Sequence, residues 1–107
     1  MSKFEAAITE YMGKIDSCDE ALLRKVTKGL GPSIYLKDAS MVSCSDKTEL
    51  DRVKANFLIK KHGLSDDGSN LDAEIKKVCE AMKDTRQKKR AVFYYHLVKN
   101  LGLEGNY

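Results

Sequence analysis

Apolar residues recur along this chain at spacings of three and four with polar residues between them, a period that predicts helices almost throughout. Phe4, Ile8, Tyr11, Met12 and Ile15 share one face of a first helix. It opens at Ser2, and Glu5 completes a capping box. A second, shorter helix begins near Ser17, again with an acid three residues on at Glu20, and turns Leu22, Leu23 and Val26 inward before Gly29. Residues 46–62 carry Leu50, Val53, Phe57 and Leu58 on one face and open on Asp46 followed by Glu49. Leu71, Ile75, Val78, Cys79 and Met82 mark a helix over 71–83, and a last helix is predicted over 85–101.

The stops are as regular as the faces. Lys28-Gly29-Leu30, His62-Gly63-Leu64 and Leu101-Gly102-Leu103 each pair a glycine, able to close a helix in the left-handed conformation, with a leucine that packs back on the last turn. Residues 31–45 are the least regular stretch, with a short helical turn predicted around Ser33–Leu36. The expectation is an all-α fold, a single compact array of five or six helices forming one domain over residues 1–107.

A weak internal repeat runs through the array. Leu58-Ile-Lys-Lys-His-Gly-Leu64 matches Leu97-Val-Lys-Asn-Leu-Gly-Leu103, and Ala21-Leu-Leu-Arg-Lys-Val26 echoes Ala73-Glu-Ile-Lys-Lys-Val78. Two similar helical-hairpin halves would produce this pattern, and so would the ordinary likeness of amphipathic helices with Gly-Leu stops.

Three blocks, Leu23-Arg-Lys-Val-Thr-Lys-Gly-Leu-Gly-Pro-Ser-Ile-Tyr35, the stretch from Cys44-Ser-Asp-Lys-Thr-Glu-Leu50 to Lys61-His-Gly-Leu64, and Arg90-Ala-Val-Phe-Tyr-Tyr95, carry a wider likeness in their order and spacing. Over nearly its whole length the chain resembles a family of short bacterial proteins catalogued only as a domain of unknown function. The resemblance implies a compact all-α array, distantly like the EF-hand arrangement. It implies no activity, so no functional residue carries over.

Composition adds bounds. A chain of 107 residues buries about two thirds of its unfolded surface, enough for a core without staples. No apolar run is long enough to cross a membrane, and Met-Ser-Lys-Phe-Glu lacks the features of a secretory signal. A cytoplasmic protein with no membrane partner is expected. Cys18, Cys44 and Cys79 are widely spaced and odd in number, so reduced thiols are the default.

The net charge of +3 hides a strong unevenness. Residues 64–84 hold three bases and six acids, whereas residues 85–107 hold five bases and one acid. Arg86, Lys88, Lys89 and Arg90 put four of those bases at the predicted start of the last helix, where each cation costs roughly 0.3–1 kcal/mol against the helix dipole unless an anion answers it. On a helical wheel Arg86 and Arg90 extend the core face of Phe93, Tyr94, Leu97 and Leu101, while Lys88 and Lys89 point elsewhere. The two arginines are therefore expected to cover the core edge and meet acids of residues 66–84, leaving the two lysines for an outside partner. Tyr95, opposite Phe93, fits this account least.

Other chemistry is poorly supported. Counted from Asp66, the acidic loop places Gly68, Leu71 and Lys77 where a calcium loop needs a ligand, a glycine and a glutamate, so capping by Ser69 or Asn70 is the better reading. Cys44 precedes a helix start, but Asp46 opposes its thiolate. His62 and His96 have no partner at ligand spacing, and no catalytic constellation emerges. The sequence reads as a non-enzymatic binding or structural module with no cofactor and no metal, engaging an unidentified protein partner or a second copy of itself. Nucleic acid or another anion, bound through Arg86, Lys88, Lys89 and Arg90, is the second reading.

Overall fold

A computed structural model describes residues 2–15, 18–36, 40–64, 71–84 and 88–107. Among them are five helices and no strand.

Helix α1 spans Lys3–Met12, and Ser2 Oγ accepts a hydrogen bond from the Glu5 amide at 3.1 Å. The Glu5 carboxylate does not close the box. It takes a two-pronged hydrogen bond from Arg24 at 2.6 and 2.9 Å, and Glu20 accepts from Nε of the same guanidinium at 2.7 Å. This exposed network fastens α1 to α2 and holds the Glu5 carboxyl below its ordinary pKa.

Helix α2 spans Glu20–Leu30 and corrects the predicted boundaries at both ends. Its cap is Asp19, whose Oδ1 accepts from the Leu22 amide at 3.2 Å; Ser17 lies outside the described residues. At the other end the helix runs through Gly29 and stops at Gly31, which takes the positive φ of 63°. Gly29 lies within the helix, where a Cβ would stand 2.5 Å from Lys61 Nζ, the movable end of a flexible side chain. The expected helical turn follows as a 3-10 segment, Gly31–Tyr35, with Pro32 in its first turn.

Helix α3 is capped as expected, with Asp46 Oδ1 accepting from the amides of Thr48 and Glu49 at 2.9 and 3.4 Å. It differs in kind. Only Lys47–Arg52 is α-helical, and Val53–Lys61 is wound as a π-helix before the stop at Gly63, φ 67°. In this wider winding residues five apart become neighbours, so the Phe57 and His62 rings meet edge to face at 4.7 Å. Helix α4 spans Leu71–Ala81, and Ser69 and Asn70, the proposed caps, lie outside the described residues.

Helix α5 spans Arg90–Leu101 and closes at Gly102, φ 69°. It starts five residues later than predicted because the preceding backbone is used elsewhere. Lys89 is extended and forms an antiparallel bridge with Met41: the Val42 amide donates to Lys88 O at 2.8 Å and the Arg90 amide to Ser40 O at 2.7 Å. Those bonds would be lost if the helix wound back through residue 88.

The bridge joins two helix–loop–helix units, α2 with α3 and α4 with α5. Helix α5 packs on both α2 and α4, α3 packs on α4, and α1 lies on α2. The segments that read as a repeat occupy corresponding places in the two units. Helix α5 is the central element, with Ala91 through Tyr95, Leu97 and Val98 all buried. A helix apolar on nearly all sides must be covered on all sides. This accounts for Tyr95, whose phenol accepts a hydrogen bond at 2.9 Å from the Asp19 amide at the head of α2.

Candidate functional site

The basic run does not form one surface. Arg90 lies at the core edge as its helical-wheel position predicts, and among the described residues it pairs with Glu49 of α3. Its Nη2 donates to Glu49 Oε1 and, at 3.2 Å, to the carbonyl of Met41, and Nη1 donates to the Tyr94 phenol at 3.0 Å. With side-chain exposures of 16% and 17%, Arg90 and Glu49 form an inward pair that ties α5 to α3 and to the bridged loop. Lys89 is likewise not left for an outside partner: its ammonium lies 3.9 Å from Glu10 of α1, and its side chain is mostly covered. Lys88 faces a groove. Arg86 lies outside the described residues.

That groove, about 770 Å³, lies between residues 41–45 and the C-terminal half of α4. Lys88 lines it from the bridged loop, Lys76 from α4 and Lys83 from the turn after α4, with Glu80 the acid among its described lining. Met41 and Val42 supply an apolar share. The Met41–Lys89 bridge holds the backbone at Lys88 beside the 41–45 wall.

Cys44 and Cys79 are joined by a disulfide, with Cα atoms 5.9 Å apart, and this corrects the expectation of reduced thiols. The bridge links the turn before α3 to α4 across 35 residues of sequence. It lines the lysine groove and also a smaller concavity of about 410 Å³ whose lining includes Lys47, Asp51, Asp72 and, shared with the groove, Lys76. Both cysteines are half-buried. Nothing in their spacing signals the pairing, because it depends on α4 lying beside the loop ahead of α3. Cys18 remains a free thiol, and burial pushes its pKa up, the opposite of what a reactive thiol requires.

Both histidines serve packing. His62 Nε2 lies 2.9 Å from the Tyr107 phenol and Nδ1 3.1 Å from the Asn106 amide nitrogen, so the ring fastens the C-terminal turn to the end of α3. Burial, then the nearby Lys61 charge, lowers its pKa; burial alone lowers that of His96. Burial pushes the Tyr107 phenol up to about 12. The rings of Phe57 and Tyr94 stack at 3.9 Å, extending the cluster to Arg90. Among the described residues, no group of three or more His, Cys, Asp or Glu gathers as metal ligands would.

A family model matches residues 3–105, nearly the whole chain. The chain belongs to DUF2853, a family described as protein of unknown function. Membership agrees with the sequence resemblance and with the all-α array, and it assigns no residue a role. No curated protein matches the chain. Among the described residues, no DUF2853 helix here is long and apolar enough to cross a membrane.

Proposed function

We propose that this protein is a non-enzymatic binding module whose groove between residues 41–45 and α4 takes an acidic segment of a protein partner. The observation that carries this reading is that Lys76, Lys83 and Lys88 all line a concavity of about 770 Å³ that also offers Met41 and Val42. Charge supplies steering and orientation, and the apolar share supplies contact area. A single-stranded nucleic acid would want aromatic platforms beside the cations. Among the described residues the groove lining contains none, and the buried Phe93, Tyr94 and Tyr95 are committed to the core.

The test is a titration of the isotope-labelled protein with a peptide alternating glutamate and leucine, followed by amide shifts. Binding should perturb residues 41–45 and 76–83, weaken as salt rises, and drop severalfold in a Lys76→Glu, Lys83→Glu variant. No perturbation there, or equal binding by the variant, would overturn the reading. A preference for a single-stranded oligonucleotide of matched charge would replace it with the nucleic-acid alternative.

A further inference from the structure

The Cys44–Cys79 disulfide forms part of the wall of the lysine groove, where a solvent molecule can approach it. Disulfides that only staple a core sit away from solvent; exchange needs access for an incoming thiolate and a leaving sulfur whose charge is stabilised. Both conditions meet here. Cys44 and Cys79 are half-buried rather than sealed. Lys76 precedes Cys79 by three residues on α4 and so lies about one helical turn away, and Lys83, in the turn after α4, lines the same groove. The charges near the bridge are distributed unevenly: three lysines and one acid, Glu80, line the larger groove, whereas Lys47 and Lys76 are balanced by Asp51 and Asp72 in the smaller concavity.

We propose that the Cys44–Cys79 bridge is a thiol–disulfide exchange site for a small thiol bearing carboxylates, a reading that deepens the anionic specificity proposed for this groove. The incoming thiolate enters from the lysine side and attacks Cys44 Sγ. A new sulfur–sulfur bond forms between Cys44 and the small thiol, the Cys44–Cys79 bond breaks, and its electron pair leaves on Cys79 Sγ, where Lys76 and Lys83 stabilise the negative charge. A second molecule of the thiol then attacks the small-molecule sulfur of the mixed disulfide. Its products are the oxidised dimer of the small thiol and a Cys44 thiolate, so two small thiols are oxidised as the protein disulfide gains two electrons and two protons. Exchange frees the turn at 43–46 from α4 and so reshapes both concavities.

The experiment compares reduction of the native full-length protein by mercaptosuccinate, 2-mercaptoethanol and cysteamine. Each rate is normalised to thiolate concentration and to the same thiol's rate with an unstructured disulfide. Mercaptosuccinate should exceed cysteamine by roughly tenfold, the scale of modest electrostatic steering. The preference should fall to within about twofold in 1 M potassium chloride and in a Lys76→Gln, Lys83→Gln variant. Peptide mapping after acid quench should place the mixed disulfide on Cys44. Equal normalised rates, reduction only after urea unfolds the chain, or a mixed disulfide on Cys79 would overturn the proposal. Lysine-dependent binding of the acidic peptide alongside equal thiol rates would defeat the exchange site and leave the binding module standing. A salt-sensitive thiol preference without peptide binding would do the reverse.

Discussion

Arg90, the first residue of α5, is paired with Glu49 in the first turn of α3, and the same guanidinium also holds the carbonyl of Met41. One side chain thus ties together both helices that leave the bridged loops. An arginine at a helix start opposes the dipole, and here Glu49 answers it from across the interface. Replacing Arg90 with alanine strands a largely covered carboxylate and unsatisfies the Tyr94 phenol. The expected cost is about 2–3 kcal/mol, below the 3–5 kcal/mol of a fully buried pair because both partners keep some exposure. Urea unfolding of Arg90→Ala, Glu49→Ala and the double variant measures it, and a coupling energy near zero would deny the pair its role.

Removing the disulfide gives a second expectation. Opening a loop of 35 residues releases chain entropy worth roughly 2–4 kcal/mol. Cys44→Ser with Cys79→Ser should lower stability by that amount while the helical signal at neutral pH persists, because the main core contacts of α5 do not involve the bridge. An unchanged urea midpoint under oxidising and reducing conditions would show that the bridge contributes nothing to folding.

The Tyr95 phenol supplies the third. It accepts the Asp19 amide at 2.9 Å beside the cap of α2, so Tyr95→Phe leaves that partly buried donor unanswered. A loss of about 1–2 kcal/mol is expected, with faster hydrogen exchange at the amides of the first turn of α2. Uniform protection in wild type and variant would show that the phenol does not hold the cap.

These three sites mark where sequence reading succeeds and where it stops. Periodicity located the inward faces of α1 to α4, because burial of Ile8, Leu23, Val26, Phe57, Leu58, Ile75 and Val78 follows from local spacing alone, but not the all-round burial of α5. The left-handed stops at Gly63 and Gly102 were legible for the same reason. What depends on contacts between distant segments was not. The spacing around Lys89 is helical, but Met41 claims its backbone, and the stop of α2 falls at Gly31 rather than Gly29. Cys44 and Cys79 give no pairing signal, and the groove that residues 41–45 share with Lys76, Lys83 and Lys88 appears only once these segments are brought together. The wheel places Arg90 correctly, but charge balance along the chain does not point to Glu49, because it says nothing of which helix packs across it.

His62 couples pH to the C-terminal turn. With the Asn106 amide nitrogen facing Nδ1 and the Tyr107 phenol facing Nε2, His62 fits as the neutral ring with its proton on Nε2. A proton on Nδ1 would set two donors against each other and place a cation beside Lys61. The folded-state pKa is accordingly lowered from 6.5, and burial moves His96 in the same direction. A histidine with a depressed folded pKa binds protons more readily in the unfolded chain. Stability is therefore greatest above pH 6.5, falls as pH drops through that value, and levels off below the folded-state pKa. Urea midpoints measured from about pH 8 to about pH 5 should show this decline, and His62→Gln, which keeps a donor and an acceptor without titrating, should flatten it. If the variant declines as steeply as the wild type, the titration belongs to His96, and the clasp on Tyr107 is indifferent to pH.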